Sequence, residues 1–390
     1  MPQFPHFSRR IASLTGSVFE KFREKMKAGG KNLVRLHIGD TYLPPAYELP
    51  LSKEFMARHP DFNRYCHTFG VAPLRSALAV KLQEDNQLHV DTEQVMVTNG
   101  ATNGLSATAM TLLDPGDEVI VLTPAWPFFF GMVTAAGGKV VEAPIYMDLF
   151  KITEMDLAAR LEPFCTDKTV AIYVNSPNNP TGKVLNESQL AQIARFARQH
   201  NFWIISDEAY DGLTFDDRPH ISIATLENAA ARTITLFTFS KSLMFAGIRL
   251  GFLTGSEEVV RNINKAMVHQ LYSPATFSQY MMIDPLKKRR EWLPAVRQHY
   301  QNLRDFFIER LKFPVHKPEG TYFIFCDVEP FLRGRDYWQL FNQLLEAGVS
   351  VAPGGDFGQN FEHYIRICFT GEPAPRLEIA AERINSVLVG

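Results

Sequence analysis

The stretch "LFTFSKSLMFAGIRLGF", residues 236–252, places Lys241 and Arg249 in an otherwise largely apolar run. Thr233 to Phe237, around its start, reads as a buried strand. A lysine at the start of a helix stands against the helix dipole, so helix stability does not account for it. Read alone, Lys241 is a solvated lysine on a strand-to-helix connection. The rest of the chain offers it another role.

Between about residues 46 and 285, apolar strands alternate with helical segments. Five of these strands end alike, in polar or aromatic residues: "EQVMVTNGATNGL", "DEVIVLTPAWPFFF", "TVAIYVNSPNNPTG", "FWIISDEAY" and "TITLFTFSK". Such alternation predicts a mainly parallel sheet covered on both faces. Ligands bind such sheets beyond the carboxyl ends of the strands, so the five endings share one destination.

Before this region, "LVRLHIGDTYLPP" reads as a short strand and a Gly/Pro-containing loop. Ile11, Leu14, Val18, Phe22 and Met26 recur at helical spacing, interleaved with Glu20 and Glu24, and predict a docked amphipathic helix. After it, "DPLKKRREWLPAVRQHYQNLRDFFIERLK" predicts a long helical stretch with Pro294 near its early part. The segments "GTYFIFCDV", "GVSVAPGGDFG" and "HYIRICF" predict a small sheet with flanking helices. The expected organisation is α/β. A large domain spans 46–285, a smaller α+β domain spans 286–390, and an N-terminal segment, 1–45, joins the small domain.

Bulk properties narrow the function. The 390 residues are 46% hydrophobic and 21% charged, an ordinary soluble globular balance. A formal net charge of -2 makes no electrostatic case for nucleic acid or an anionic membrane. The basic run Lys287-Lys288-Arg289-Arg290 opens a helical pattern and reads as a solvated face. Cys66, Cys165, Cys326 and Cys368 show no metal-ligand or redox spacing, so no metal site is expected and a reducing compartment is. No apolar stretch reaches the length of a membrane span. The N-terminus lacks a secretory apolar core and is too acidic for a transit peptide, which leaves a cytoplasmic location.

The strand ends carry the chemistry. Gly100-Ala101-Thr102-Asn103-Gly104 offers backbone N–H groups at a helix start, a natural anion site. Thr238 adds a hydroxyl, and Arg249 can clamp a phosphate through two bonds. No Lys-Ser/Thr pair follows the glycines, and "TNGATNG" is not a dinucleotide fingerprint, so a small phosphorylated cofactor fits better than a nucleotide. Trp126 can face an aromatic ring, although an isolated tryptophan is more often core. Asp207 ends a buried strand, where it could equally cap "DEAYDGL". Tyr210 follows it on the same side of a helical turn, and Asn179 alone is a turn residue. Pyridoxal 5'-phosphate uses all of them: a lysine for its aldehyde, an acid for its ring nitrogen, an anion pocket for its phosphate.

These residues resemble the class I/II aminotransferases of pyridoxal-phosphate fold type I, the aspartate aminotransferase superfamily. "YCHTFGVAPLRSALA" is similar to the family's Tyr-x4-Gly-x3-Leu-Arg stretch, with Tyr65 as its tyrosine. "SPNNPTG" matches the Asn-Pro-Thr-Gly signature, "SDEAY" the Asp-x-x-Tyr, and "TFSKSLMFAGIRLG" the Ser/Thr-x-Ser-Lys-x7-Arg-x-Gly. "PEGTYFIFCDV", "GVSVAPGGDFG" and "YIRICF" follow in the family order, so the likeness extends over nearly the whole chain.

The resemblance implies a large domain with a mainly parallel seven-stranded sheet plus a smaller α+β domain. It implies amino transfer from an α-amino acid to a 2-oxo acid in ping-pong half-reactions. Lys241 would form a Schiff base with the cofactor and carry the proton; Asp207 would pair with the ring nitrogen. Tyr210 and Asn179 would bind the phenolic oxygen, and Trp126 would stack on the ring. Ala101 and Thr102 N–H groups, Thr238 and Arg249 would hold the phosphate. Tyr65 would reach the phosphate of the neighbouring subunit in a homodimer with shared sites. Arg366 would bind the substrate carboxylate, with Asn179 and Gly39 near it.

Two departures concern the substrate side. The loop "GDTYLPP" stands where the family often reads Gly-x-Pro-Asp, and "SLMFAG" lacks the usual Gly-Leu-Pro character. Lyases and aminocyclopropane carboxylate synthase-like enzymes share the cofactor residues and form the alternative. Oxoamine synthases usually carry His where Tyr210 stands. A regulator with an aminotransferase-like domain would carry a DNA-binding module ahead of it, and only about one helix precedes the catalytic fold. Phe128-Phe129-Phe130 and Tyr42 fit either a bulky substrate side chain or core packing, and Asp40 could face a cationic substrate.

Overall fold

A computed structural model describes residues 3–14, 22–152 and 154–390. In chain order its strands are β1 (Val34–Arg35), β2 (Val95–Thr98), β3 (Glu118–Thr123), β4 (Lys139–Pro144), β5 (Thr169–Asn175) and β6 (Trp203–Asp207). They continue as β7 (Thr233–Thr238), β8 (Gly251–Thr254), β9 (Phe323–Asp327), β10 (Val349–Ser350), β11 (Ala352–Pro353) and β12 (Tyr364–Cys368).

Seven strands form one sheet in the order β2-β8-β7-β6-β5-β3-β4. All pairings are parallel except those of β8, which runs antiparallel to both β2 and β7. Alternation sends Ile120, Leu122, Ile172 and Val174 to one face, against Leu190, Ile193 and Phe196 of the helix Glu187–Gln199. Val119, Val121, Ala171 and Tyr173 point to the other, against Leu105 of the helix Gly100–Leu112 and Ile263 of the helix Glu257–Leu271. With both faces covered, the sheet supports fully apolar strands. A mainly parallel seven-stranded sheet covered on both faces is as expected.

Strands β11, β12 and β9 form a separate antiparallel sheet, and β1 pairs in parallel with β10. Their core does not stop at the large sheet. Tyr210, Leu213, Phe215 and Met244 pack in one cluster with Tyr322, Phe323, Ile365 and Ile367.

Several local expectations change. The N-terminal helical pattern is described only as Arg9–Ala12 and Arg23–Ala28, with Val18 outside the described residues. Ile11 is 57% exposed, whereas Phe22 stacks on Trp338 and packs on Phe341. The long helix begins at Arg289 and holds Pro294 within it. Arg289 is not a solvated residue: it is buried and paired with Glu84 and Asp85. Residues 239–245 make turns, not a helix, so Lys241 meets no opposing helix dipole.

Candidate active site

The carboxyl ends of β2, β3, β5, β6 and β7 lie at one edge, because β8 is antiparallel to both β2 and β7. Thr238 and Thr98 both stand opposite Gly251, and Asp207 pairs with Asn175 on one side and Leu236 on the other. The five strand endings therefore meet at this edge.

Glycines shape one end of it. Gly100 has φ +77, a left-handed conformation, as it turns from β2 into the helix Gly100–Leu112. A Cβ on Gly100 would sit 2.9 Å from Arg249 Nη2, and one on Gly251 would sit 2.6 Å from the Ala101 nitrogen. The guanidinium of Arg249 and the Ala101 N–H are thereby brought against the same short turn. Arg249 itself has φ 58 and donates to the Ala246 carbonyl at 2.8 Å. Thr238 Oγ1 lies 3.0 Å from Ser240 Oγ and accepts the Ser240 N–H. Thr102 is exposed on the first turn of the helix. Ser240, the serine of the Ser/Thr-x-Ser-Lys signature, joins this group although no role is expected of it from the sequence.

Asp207 ends β6 in a buried position. Its Oδ2 accepts from the Tyr173 hydroxyl at 2.7 Å and its Oδ1 from the Ala209 N–H at 3.1 Å. Burial pushes its pKa up to about 6, and the two donors oppose that rise. Both of its oxygens accept a hydrogen bond, as those of a carboxylate do. No helix follows for it to cap: Tyr210 lies in a turn, buried, with its ring edge-on to Tyr322 and Phe323.

Lys241 extends its Nζ to the Gly39 carbonyl and lies 6.0 Å and 5.7 Å from the ring centres of Tyr210 and Tyr322. Burial lowers its pKa, so the neutral amine is more accessible than in an ordinary lysine. Tyr322 donates its hydroxyl to the Lys241 carbonyl at 2.8 Å.

Arg366 lies on β12. It is buried between the rings of Phe323 and Phe357, 4.1 Å and 4.9 Å from their centres. Nη1 donates to Asn179 Oδ1 at 3.0 Å and Nη2 to the His37 carbonyl at 2.7 Å. Its buried Nε makes no hydrogen bond. The Asn179 N–H donates to Asn175 Oδ1, and Asn175 Nδ2 donates to the Asp207 carbonyl. A continuous path thus runs from Arg366 through Asn179 and Asn175 to Asp207.

Trp126 precedes the helix Pro127–Ala136 at the end of the β3 segment, partly buried and tilted against Phe128. Of the three phenylalanines, Phe129 belongs to the core, Phe130 packs on it, and Phe128 is exposed. Tyr65 stands apart from this chain's own site: it is 82% exposed and edge-on to Tyr272.

The residues present fit pyridoxal phosphate. The glycine turn with Ala101, Thr238 and Arg249 makes an anion cradle, Asp207 supplies a buried acid, and Lys241 supplies a partly buried amine. The Nε of Arg366 is a donor still to be matched.

Comparison with known proteins agrees. The pattern for "Aminotransferase class I and II" matches residues 32–384, and the chain belongs to that family. It is a pyridoxal-phosphate-dependent aminotransferase. Among its relatives, an aspartate aminotransferase of Pyrococcus abyssi is 34% identical, covering 93% of each chain. An aromatic-amino-acid aminotransferase 2 of Thermococcus litoralis is also 34% identical, covering 98% of each. The structure of the Thermus thermophilus aspartate aminotransferase with maleate superposes with a TM-score of 0.89 at 30% identity, covering 99% of this chain and 100% of that one.

Proposed function

We propose that the strand-end residues divide the work of amino transfer as follows, and that the path from Arg366 to Asp207 is the observation that carries this reading. Pyridoxal phosphate supplies, when bound, an aldehyde and an electron-accepting ring. Lys241 Nζ would hold the cofactor through that aldehyde and would carry the proton to and from the substrate carbon. Its lowered pKa supports both tasks. The Asp207 carboxylate pairs with the ring nitrogen and keeps it protonated, which favours electron withdrawal from the substrate carbon.

Tyr210 and Asn179 bind the phenolic oxygen, and Trp126 stacks on the ring. Ala101 and Thr102 N–H groups, Thr238 and Arg249 hold the phosphate. Arg366 binds the α-carboxylate of the amino acid through its planar fork, beside Asn179 and Gly39. That grip also fixes which substrate bond faces Lys241.

The active unit is a homodimer in which Tyr65 reaches the partner's phosphate; its exposed ring beside Tyr272 supports this. The working division is a large domain, 46–285, a small domain, 286–390, and an N-terminal segment, 1–45. Separate sheets and the β1–β10 pairing support it. The location is cytoplasmic. Four unpaired cysteines support that reading, and no helix among the described residues is long and apolar enough to cross a membrane.

The test is a half-reaction screen. Amino acids are added singly to cofactor-loaded protein while the visible spectrum and the released 2-oxo acid are followed. Borohydride treatment of a separate, unscreened sample should leave a phosphopyridoxyl group on the Lys241 peptide, seen by mass spectrometry. Label on another lysine, or ammonia release in place of amino transfer, would overturn the assignment. For the dimer, Lys241→Ala and Tyr65→Phe chains are mixed. Partial return of activity in the hybrids is expected, and none would count against a shared site.

A further inference from the structure

Tyr173 is a buried phenol with no place in the roles above. It lies on β5 opposite Ile205 of β6, and Asp207 follows Ile205 by two residues. The period of a strand therefore sets Tyr173, Ile205 and Asp207 on one face, with Asp207 as the diagonal neighbour that a long aromatic side chain can reach. The ring is clamped by Phe129, stacked at 3.9 Å between centroids and 16° between planes. From there the hydroxyl donates to Asp207 Oδ2 at 2.7 Å. With Ala209 N–H on Oδ1, each carboxylate oxygen has one fixed donor.

We propose that Tyr173 is a positioning residue for the cofactor: by donating to Asp207 Oδ2 it fixes the plane and holds the charge of the carboxylate that meets the ring nitrogen. The inference rests on the assignment of Asp207 to that nitrogen. A hydrogen bond to an ionised group inside a low-dielectric site is stronger than a neutral one, and it weakens the pull of the carboxylate on a shared proton. Without the phenol, the balance between a charged pair and a neutral pair moves toward a protonated acid and an unprotonated ring. The other groups acting on this pair are Glu208, whose charge raises Asp207, and Tyr146 and Tyr210, which interact with Tyr173. A substitution at Tyr173 leaves these three residues in the sequence, so their charges act in both proteins.

Tyr173→Phe removes one oxygen and keeps the ring on Phe129. The readout is the nitrogen resonance of ¹⁵N-labelled pyridoxal phosphate in the loaded protein, beside the affinity of the apoprotein for the cofactor. Tyr173→Phe should move the resonance toward the unprotonated position and weaken cofactor binding about tenfold. A 3-fluorotyrosine at position 173 keeps the shape with a stronger donor and should move the resonance the opposite way. An unchanged resonance in both variants would overturn the inference. Asp207→Asn separates it from the reading beneath it. If Asp207→Asn shifts the resonance and the Tyr173 variants do not, only the role of Tyr173 fails; if Asp207→Asn also leaves it unmoved, both fail.

Discussion

Arg366 donates to the side-chain oxygen of Asn179 at 3.0 Å, tying β12 of the small sheet to the loop beyond β5 of the large one. The two residues are 187 positions apart in the chain. If Arg366 holds a substrate carboxylate beside Asn179, as proposed, substrate binding and the relative placement of the two sheets are linked.

Arg366→Lys keeps the charge and loses the planar fork that reaches Asn179 and the His37 carbonyl together. The expected result is a drop in kcat/KM of at least about tenfold for an amino acid, roughly 1.4 kcal/mol. The drop should be much smaller for an amine lacking the carboxylate. Steady-state kinetics with the two substrates check this, and equal losses would remove Arg366 from the carboxylate site.

Gly39→Ala tests the floor of that site. A methyl group there would lie 2.6 Å from Phe323 Cζ, and Phe323 is fully buried beneath Arg366. The ring must yield, so Gly39→Ala should cost about 1–3 kcal/mol of stability and raise KM for the amino acid. Adding Phe323→Leu makes room and should recover the stability but not the KM, because the stacked support of Arg366 is gone. Thermal melts and kinetics on the single and double variants separate the two effects.

Glu319, in the loop ahead of β9, accepts from Lys183 Nζ and the Val184 N–H at 3.0 Å each, and pairs with Arg218 at 3.2 Å. Lys183 lies beyond β5, so this buried pair is a second tie between the two sheets. Glu319→Ala strands a buried ammonium and should destabilise the protein by about 3–5 kcal/mol. Lys183→Met combined with Glu319→Gln removes the stranded charge and should recover much of that loss in denaturant titration.

His37 predicts a pH dependence. Its Nδ1 lies 2.8 Å from Ser350 Oγ, and burial, with the Arg366 and Arg35 charges nearby, lowers its pKa to about 4. The unfolded chain protonates this group below about 6.5, whereas the folded protein stays neutral until near 4. Between those values the unfolded state binds more protons, so stability falls as pH falls, by up to about 3 kcal/mol. Asp207 acts in the opposite sense in cofactor-free protein: its raised pKa makes stability fall as pH rises from its ordinary value of 3.8 to about 6. The comparison must therefore be made against His37→Asn, whose melting temperature should decline less than that of the native chain between pH 6.5 and 4. Parallel curves would contradict the assignment.

The phenol beside Asp207 shows what was hard to read in the sequence. In "VAIYVN" Tyr173 is one aromatic in an apolar strand, and its only signal is a polar tip two residues ahead of Asn175. Tyr322 and Phe323 sat in a matched motif, yet nothing local shows that one bonds the Lys241 carbonyl and the other floors the Arg366 site. The basic run at 287–290 misled for the same reason. Composition predicts a solvated face, while packing against Glu84 and Asp85 decides that Arg289 alone turns inward.

Alternating apolar strands and helices, the residue types at five strand endings and the order of the signatures were determined by the sequence itself. Hydrophobic period and backbone chemistry are local properties, and they were enough for a covered parallel sheet with its ligand edge. Only the tertiary structure decided that β8 runs against its neighbours, and so that Gly251 closes on Ala101 and Arg249 reaches Gly100. It also decided that Asp207 meets Tyr173, and that Arg366 is buried between two rings with its Nε unpaired. The charge and reach of these groups depend on desolvation and on partners from distant elements, and both exist only after the elements have packed.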